Sequence, residues 1–284
     1  MIKAKKYFGQ NFLKDQVILE QIIQSIPKDE DFIIEIGVGL GDLTQRLLEV
    51  APIKAYEIDA ELMGFLERKF QKQVENKSLE LLNEDASKAV PSFDTQDFVL
   101  VANLPYYIAS RLVLQALRDE NCTAILVMVQ KEVALKFCAR SGTSDFCALS
   151  VLTRLLCAPR LLFEVGAQCF EPPPKVSSAV MLLKKEREFS EICGDICAFE
   201  RFLRECFKAP RKQLLSNLKA HKGVLLPLFS QLGIKANARA HELCVKSFLE
   251  IYESIKEDYE RQEKHLRGRE VKQTLPLQAQ EKIP

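Results

Sequence analysis

The most constraining feature of this sequence is the alternation of short apolar runs with amphipathic segments. Segments such as GDLTQRLLEV and AELMGFLERKF space their apolar residues three and four apart, which is typical of helices that pack on a sheet. The resulting βαβα order predicts an α/β fold with a mostly parallel sheet. The β-rich runs in this region are FIIEI (32–36), IKAYEI (53–58), LELLN (79–83), DFVLVAN (97–103) and TAILVMV (123–129).

Two more strands and a change of pattern define the domains. LLFEV and SSAVMLLKK lie close together and predict a hairpin at the sheet edge, which brings the sheet to seven strands. After about residue 188 the β signal stops and helical spacing takes over. We therefore predict a sheet domain over 1–188, a small all-α domain over 189–257, and a polar, disordered tail over 258–284.

Charge is segregated along the chain although the formal net charge is only +1. Residues 1–14 carry four Lys and no acid, residues 15–130 carry ten basic and twenty acidic side chains, and residues 199–246 carry ten basic and three acidic ones. Basic ends of this kind favour a polyanionic partner, although a merely solvated basic helix has the same composition.

The remaining features of the sequence argue against a membrane-spanning protein, a signal peptide and a metal site. No apolar run reaches the roughly 18 to 20 residues of a membrane span, and the N-terminus lacks the apolar core of a signal peptide. The nine Cys form no Cys-x-x-Cys pair, so we expect reduced thiols and no metal site. We expect a soluble, cytoplasmic monomer.

A glycine loop follows the first strand of the βαβα region. Gly37, Gly39 and Gly41 stand between that strand and the next helix, where missing side chains let a ligand approach the backbone. The spacing matches neither the G-x-G-x-x-G of a dinucleotide site nor a phosphate-binding G-K-S/T loop. Glu35 is a poor neighbour for phosphate and tolerates a cation better. Alone this loop is weak evidence, because plain tight turns use the same glycines.

Acidic residues end the next two strands. Glu57 lies at a strand end twenty residues after Gly37, where an acid can accept hydrogen bonds from a ribose diol. Asp85 holds the corresponding place after the third strand and can accept from an adenine amino group. A glycine loop, a ribose acid and an adenine acceptor with no phosphate binder point to S-adenosylmethionine, a cationic sulfonium that carries adenosine without phosphate.

The fourth strand ends in Asn103, Leu104, Pro105 and Tyr106, which contain no general base. The exocyclic amino group of a base is a poor nucleophile, because its lone pair is delocalised into the ring. The side-chain oxygen of Asn103 and a carbonyl of the following turn can accept its N–H bonds, and Tyr106 can stack on the base for about 1 to 3 kcal/mol. A good methyl donor then requires positioning and electrostatics rather than a base.

Several long motifs resemble one family. KKYFGQNFL (5–13), EIGVGLGDLT (35–44), NLPYYIAS (103–110) and FEPPPKVSSAV (170–180) are similar to those of the ribosomal RNA adenine dimethyltransferases of the KsgA/RsmA type, and the resemblance runs from about residue 5 to 255. It implies a Rossmann-like S-adenosylmethionine-dependent methyltransferase domain. It also implies transfer of methyl groups to N6 of two adjacent adenines in a hairpin near the 3′ end of 16S rRNA, during late small-subunit assembly.

The resemblance further implies roles for individual residues. The cofactor would be bound by Asn11, Leu13, Gly37, Gly39, Glu57, Asp85 and Asn103, with residues 1–14 as a basic lid. Asn103, Leu104, Pro105 and Tyr106 would form the reaction site, and Tyr106 and Phe170 would sandwich the flipped adenine. RNA phosphates would be contacted by Lys5, Lys6, Lys175, Arg204, Lys208, Arg211 and Lys212.

Two departures and two alternatives remain at this point. Val38 stands where many relatives have Pro, and Phe146-Cys147-Ala148 stands where the family usually has Tyr-Gly-Arg. A related class of enzyme methylates an adenine of large-subunit rRNA and confers antibiotic resistance, and it shares the glycine loop and N-x-P-Y. A non-catalytic RNA-binding assembly factor could also keep this fold.

Overall fold

The computed structural model describes residues 4–28, 30–89, 92–192 and 194–274. These residues form two compact units. We call the first the sheet unit; it contains the described residues up to 138 together with 156–188. The second, the helical unit, contains 139–155 and the described residues from 189 onward.

The sheet unit is built on a seven-stranded sheet in the order β4-β3-β2-β5-β6-β9-β7. Strands β2 to β6 pair in parallel, whereas β9 is antiparallel to both β6 and β7. This confirms the predicted α/β fold and the hairpin at the sheet edge. The strands of this sheet are β2 (Ile33–Ile36), β3 (Ile53–Tyr56), β4 (Leu79–Leu82), β5 (Phe98–Asn103), β6 (Cys122–Gln130), β7 (Cys157–Val165) and β9 (Ser178–Lys185).

A second, two-stranded sheet ties the N-terminus to the residues after β7. Strand β1 (Phe12–Leu13) pairs antiparallel with β8 (Phe170–Glu171). The helices of the sheet unit are α1 (Gln16–Gln24), α2 (Asp42–Leu47), α3 (Ala60–Lys69), α4 (Gln71–Glu75), α5 (Ala109–Arg118) and α6 (Lys131–Cys138).

The core of the sheet unit lies on the central parallel strands. All four residues of β2 and the first five of β5 are buried, because helices cover both faces of a parallel sheet and leave no face for water. Polar ends of these strands are therefore the places where the sheet edge can meet a ligand. Asp15 and Asp59 cap α1 and α3 by accepting hydrogen bonds from backbone N–H groups in the first turn.

The helical unit is held by aromatic packing. Phe199 and Phe202 pack against Tyr252 with ring centroids 5.0 and 5.4 Å apart, and all three rings are buried. Its helices are α7 (Ala148–Leu156), α8 (Phe189–Ile192), α9 (Ile196–Cys206), α10 (Leu214–Asn217), α11 (Lys222–Gln231) and α12 (Val245–Thr274).

Residues 139–155 belong with the helices, although the sequence predicted that everything before 189 joins the sheet domain. The reason is Phe146, which is buried and packs against Phe207 and Phe248 at 6.1 and 6.3 Å between ring centroids. The loop that departs from the family pattern thus supplies an apolar anchor for the helical core.

The C-terminal helix is longer than predicted. The sequence predicted a disordered tail from residue 258, but α12 continues to Thr274. Tyr259 is buried and donates a hydrogen bond to Glu205 of α9, so the helix keeps a packing contact beyond the predicted boundary. Residues 275–284 of the predicted tail and residues 1–3 of the predicted lid lie outside the described residues. Within the described part of the chain, no helix is long and apolar enough to cross a membrane.

Candidate active site

The carboxyl ends of β2, β3, β4 and β5 share one edge of the sheet because these strands are parallel. Gly37 follows β2, Glu57 follows β3, Asp85 follows β4, and Asn103 ends β5. All four line a single cavity in the sheet unit. The structure therefore brings together the groups that the sequence assigned to four separate strand ends.

The glycine loop has a backbone that other residues adopt with strain. Gly37 has a φ of +79°, and a Cβ on it would lie 3.5 Å from Cδ of Pro105 and 3.8 Å from the carbonyl oxygen of Asn103. Gly39 has a φ of +61°, and its Cβ would come within 3.0 Å of the Phe12 ring. The two glycines keep the loop close to the turn after β5 and to the N-terminal residues.

Glu57 is fixed by backbone donors. Its side chain is buried, and its two carboxylate oxygens accept hydrogen bonds from the N–H groups of Gly39 and Asp59, each at 2.9 Å. Burial raises the pKa of Glu57. Each oxygen retains a second lone pair for a ligand hydroxyl.

Asp85 combines a structural and a potential ligand role. One oxygen accepts a hydrogen bond from the N–H of Ser87 at 3.0 Å and so caps the short 3-10 helix Ala86–Lys88. Hydrogen bonds from the side chain and then the backbone of Ser87 hold the pKa of Asp85 below its usual range. Asp85 is therefore an anion that lines the cavity, and its second oxygen lies 3.9 Å from Nζ of the exposed Lys88.

Glu35 is a buried carboxyl with one oxygen, Oε2, that accepts no hydrogen bond from a described residue. It lines the cavity and is 1% exposed. The hydroxyl of Thr44 faces it and tends to lower its pKa, but it makes no hydrogen bond of normal geometry to a described residue. Burial raises the pKa of Glu35 to about 8. An orphaned acceptor at this position fits a ligand that brings a cationic N–H donor, as the amino-acid part of S-adenosylmethionine does.

We call residues 5–13 the N-terminal segment. Its residues from Phe8 to Leu13 line the cavity together with the glycine loop and Glu57. Strand β1 at its end pairs with β8, with Leu13 opposite Phe170. The predicted cofactor residues Asn11 and Leu13 therefore lie at the same cavity as Gly37, Gly39, Glu57 and Asp85.

The amide of Asn103 has a defined orientation. Its Nδ2 donates to the carbonyl oxygen of Asn11 at 3.1 Å. Because a carbonyl only accepts hydrogen bonds, the NH₂ end must face Asn11, and the side-chain oxygen is the end to which no described residue donates. Asn103 is therefore presented as an acceptor at a cavity that it lines.

The turn after Asn103 offers a second acceptor. Leu104 donates its N–H to the carbonyl of Met128 at 3.1 Å, and the carbonyl of Pro105 accepts from the N–H of Ile108 at 3.1 Å. No described residue donates a hydrogen bond to the carbonyl of Leu104. The carbonyl of Leu104, next to Asn103, is thus available as a second acceptor.

The two predicted stacking rings have different environments. Tyr106 lines the cavity, and its hydroxyl lies 2.6 Å from Oγ of the buried Ser178. Burial raises the pKa of Tyr106, so its phenol stays neutral. Phe170 is only 5% exposed, belongs to the hydrophobic core with Leu13, and does not line the cavity. Its predicted stacking role requires the Phe170–Glu171 strand or its neighbours to move.

Comparison with known proteins identifies the family. A family model described as "Ribosomal RNA adenine dimethylase" matches residues 1–257. The chain belongs to this family. Among curated relatives of this dimethylase, "Ribosomal RNA small subunit methyltransferase A" of Campylobacter jejuni strain RM1221 is 53% identical over 265 residues, which cover 93% of this chain and 99% of the relative. The protein of the same name from Helicobacter hepaticus is 46% identical, covering 89% and 92%.

Solved structures agree on the fold of the dimethylase. A dimethyladenosine transferase from Plasmodium falciparum superposes with a TM-score of 0.75 at 27% identity, covering 87% of this chain and 98% of that one. The 23S rRNA methyltransferase ErmE gives a TM-score of 0.67 at 24% identity over 87% and 100% of the two chains. The ErmE likeness supports the shared fold and carries no information on which ribosomal subunit is the substrate.

The predicted RNA-binding residues of the dimethylase differ in their surroundings. Lys5 is paired with Asp59 and Glu61 at 2.7 and 2.9 Å, so its ammonium is engaged within the protein. The side chain of Lys6 lies outside the described residues. The other predicted positions are exposed: Lys175, Arg204, Lys208, Arg211 and Lys212.

Sequence reasoning missed three residues at this site. Tyr107 lines the cavity beside Gly9 and is 64% exposed. Gln10 and Asp59 form a hydrogen bond of 3.0 Å at the end of the N-terminal segment. The second Tyr in NLPYY was a visible signal for Tyr107, whereas no local pattern links Gln10 to Asp59, 49 positions away.

Proposed function

We propose that this dimethylase transfers methyl groups from S-adenosylmethionine to N6 of two adjacent adenines in a hairpin near the 3′ end of 16S rRNA, during late assembly of the small ribosomal subunit. The family and the small-subunit name of relatives up to 53% identical support the substrate class. The observation that carries the chemistry is the orientation of Asn103, whose oxygen is left free as an acceptor at the cavity.

S-adenosylmethionine would be held by the part of the cavity formed by the N-terminal segment, the glycine loop and the acidic residues. We call this part the cofactor side. Glu57 would accept the ribose hydroxyls, Asp85 the adenine amino group, and Glu35 the cationic amino group of the methionine part. The glycine loop would lie against that part, and Asn11 and Leu13 would cover it. When bound, S-adenosylmethionine supplies a methyl group on a positively charged sulfur, which is a good leaving group.

The protein would activate the adenine by accepting hydrogen bonds. Asn103 Oδ1 and the carbonyl of Leu104 would each accept one N–H of the N6 amino group, which draws the nitrogen lone pair out of the ring toward the methyl carbon. The bond from N6 to that carbon forms as the bond from carbon to sulfur breaks, and N6 then loses a proton to water. Tyr106 would stack on the flipped base, a contact worth about 1 to 3 kcal/mol.

The second transfer changes the number of hydrogen bonds. After one methylation N6 keeps a single N–H, so only one of the two acceptors can be used again. Asn103 and Leu104 are held by Asn11 and Met128, and both are neutral groups that need no change of protonation between rounds.

The proposal is tested with labelled S-adenosylmethionine and separated small and large ribosomal subunits that lack the modification. We expect label on two adjacent adenines of small-subunit rRNA after nuclease digestion and mapping. Label on large-subunit rRNA would support the resistance-type activity instead. Binding to small subunits without any label would support a non-catalytic assembly factor.

RNA binding should depend on salt because the exposed basic residues would neutralise phosphates. We expect log Kd against log salt concentration to have a slope of about 0.7 to 0.9 per phosphate contacted. The double substitution Arg211→Gln and Lys212→Gln should lower that slope by the amount that corresponds to about two phosphate contacts. Lys246→Gln is the matched control, since Lys246 is an exposed base of the same unit that is outside the predicted RNA-binding set. A slope unchanged by the double substitution would contradict this assignment.

A further inference from the structure

Asp59 is a buried charge that the cofactor site does not use directly. It is 3% exposed, and its two carboxylate oxygens accept from Lys5 Nζ at 2.7 Å and from Gln10 Nε2 at 3.0 Å. One oxygen also caps α3 by accepting the N–H of Glu61. Both donors come from the N-terminal segment, more than forty positions away in the sequence.

We propose that Asp59 is a positioning residue that holds the N-terminal segment closed over the cofactor side of the cavity and, through that segment, orients Asn103. The proposal rests on the proposed function for what the cavity binds. The anchoring of the segment by Asp59 is a separate physical statement that needs no ligand.

The anchor is a charged one. Burial alone would raise the pKa of Asp59, but the hydrogen bonds from Lys5 and Gln10 lower it, so the carboxylate is ionised. A buried carboxylate that loses one of its donors is left uncompensated, which makes the contact expensive to open. Glu61 also pairs with Lys5, at 2.9 Å, but it is 62% exposed and water screens that pair.

Hydrogen bonds within the N-terminal segment connect the contact at Asp59 to Asn103. The backbone N–H of Lys5 donates to Oε1 of Gln10 at 2.7 Å, which closes the segment into a turn beside Asp59. The next residues lead to Asn11, whose Nδ2 donates to the carbonyl of Gly9 at 3.1 Å and whose own carbonyl accepts from Asn103. The group that orients Asn103 is therefore only one residue from Gln10.

Asp59 also contacts the predicted ribose acid. Its backbone N–H donates to Oε1 of Glu57 at 2.9 Å. The same residue thus fixes Glu57 through its backbone and the N-terminal segment through its side chain. Loss of the side-chain contact should loosen the segment while leaving the contact to Glu57 in place.

The test compares Asp59→Asn with Glu61→Gln. Asn is as good a helix cap as Asp, so Asp59→Asn can keep the cap of α3. It removes the charge that Lys5 contacts and replaces the oxygen that accepts from Gln10 with an NH₂ group, so both contacts to the N-terminal segment are weakened. Glu61→Gln removes the other, exposed partner of Lys5 and is the matched control. Hydrogen exchange is followed without any ligand at the amides of Phe8 and Gln10, which donate to the carbonyl of Lys5.

We expect Asp59→Asn to speed exchange at these two amides about tenfold or more, and Glu61→Gln to change it by no more than about twofold. Cofactor affinity, measured by calorimetry, should fall about tenfold in Asp59→Asn. Lys5→Met should have a similar effect, and the double variant should be little worse than either single one, because both remove the same contact. A purely structural role for Asp59 would instead give additive losses.

Unchanged exchange in Asp59→Asn would overturn the anchor. If Asp59→Asn does not fold, Lys5→Met and Gln10→Ala test the same contact from the segment side, and exchange that stays at the wild-type rate in both would overturn it as well. A wild-type protein that does not bind S-adenosylmethionine, together with faster exchange in Asp59→Asn, would contradict the proposed cofactor. The anchoring of the segment by Asp59 would stand in that case.

Discussion

The two halves of the cavity are built from opposite kinds of group. The cofactor half is lined by five carboxyl side chains, of which Glu35 and Glu57 are almost completely buried; the others are Asp42, Glu84 and Asp85. The reaction half has an amide, a proline and a phenol, represented by Asn103, Pro105 and Tyr106. Both halves lie on neighbouring strand ends of one sheet, so the backbone framework is the same and the side chains make the difference.

The difference follows from the charge of what each half would hold. Buried carboxyls are costly unless a cation or donors compensate them, and a sulfonium with an ammonium group does so. Neutral acceptors suit a neutral adenine, because they polarise its amino group without a proton transfer to the protein. A charged group on the reaction side would bind the base no better and would need its own partner.

The largest effect is expected at Asn103. Asn103→Ala removes the oriented acceptor, and methyl transfer at saturating substrates should fall about 100- to 1000-fold, as when one oriented hydrogen-bonding group is removed from an active site. Cofactor affinity should fall no more than about fivefold, because only one neutral hydrogen bond to the N-terminal segment is lost. Single-turnover rates and calorimetry separate the two. Wild-type rates in this variant would show that the reaction half works differently.

The opposite pattern is expected at Glu57. Glu57→Gln places an NH₂ group against a backbone N–H donor, either of Gly39 or of Asp59, and removes the charge. Cofactor affinity should fall about 10- to 100-fold, while affinity for RNA changes little. Glu80→Gln, at an exposed position on β4 outside the cavity, is the control. Equal losses of cofactor and RNA affinity would remove the distinction between the two halves.

Glu35 makes the cofactor half sensitive to pH. Its pKa of about 8 in the folded chain lies above the ordinary value of 4.5, so folding retains a proton that the unfolded chain releases. The groups that face it are Thr44, Glu57 and Lys69. Its contribution to the free energy of unfolding is therefore complete below pH 4.5, decreases as pH rises, and is lost at about pH 8.

The measurement compares wild type with Glu35→Gln in urea without ligand. Between pH 5 and 8 the wild type should lose up to about 1.4 kcal/mol per pH unit relative to the variant. Parallel pH profiles for the two proteins would show that Glu35 is ionised in the folded chain. Glu35 would then not be a buried neutral acid, and this difference between the two halves of the cavity would disappear.

The smallest effect is expected at Tyr107. The chain contains no Trp, so Tyr107→Trp introduces a single reporter at the cavity. Its emission should change in a saturable way with S-adenosylmethionine, and affinity should stay within about threefold, since the side chain is largely exposed. Tyr7→Trp, at a position that is 88% exposed and does not line the cavity, should respond weakly. An equal response in both variants would contradict a position of the Tyr107 side chain near the bound cofactor.

Much of the site could be predicted from the sequence because each predicted group lies at or just after the end of a strand. Gly37, Glu57 and Asn103 follow directly from apolar runs that the period of the sequence identifies as strands. The orientation of Asn103 was not readable, because it depends on a carbonyl 92 positions earlier. The same holds for the burial of Phe170, which follows from the pairing of β8 with β1.

Domain boundaries show the same limit. Phe146 looked like a departure in a loop, and only its packing against Phe207 and Phe248 assigns residues 139–155 to the helical unit. Likewise, the charged composition after residue 257 predicted disorder, whereas the burial of Tyr259 against α9 extends the helix.

The sequence by itself determined the α/β order and the succession of glycine loop, acids and N-x-P-Y at consecutive strand ends. It could do so because parallel strands place all their carboxyl ends at one edge, whatever the details of packing. Only the tertiary structure decided that Lys5 and Gln10 contact Asp59, and that Glu35 is buried with one unpaired oxygen. It also decided that Asn11 accepts from the NH₂ group of Asn103 and leaves the Asn103 oxygen as the acceptor. Those facts depend on contacts between residues distant in sequence, and no local pattern encodes them.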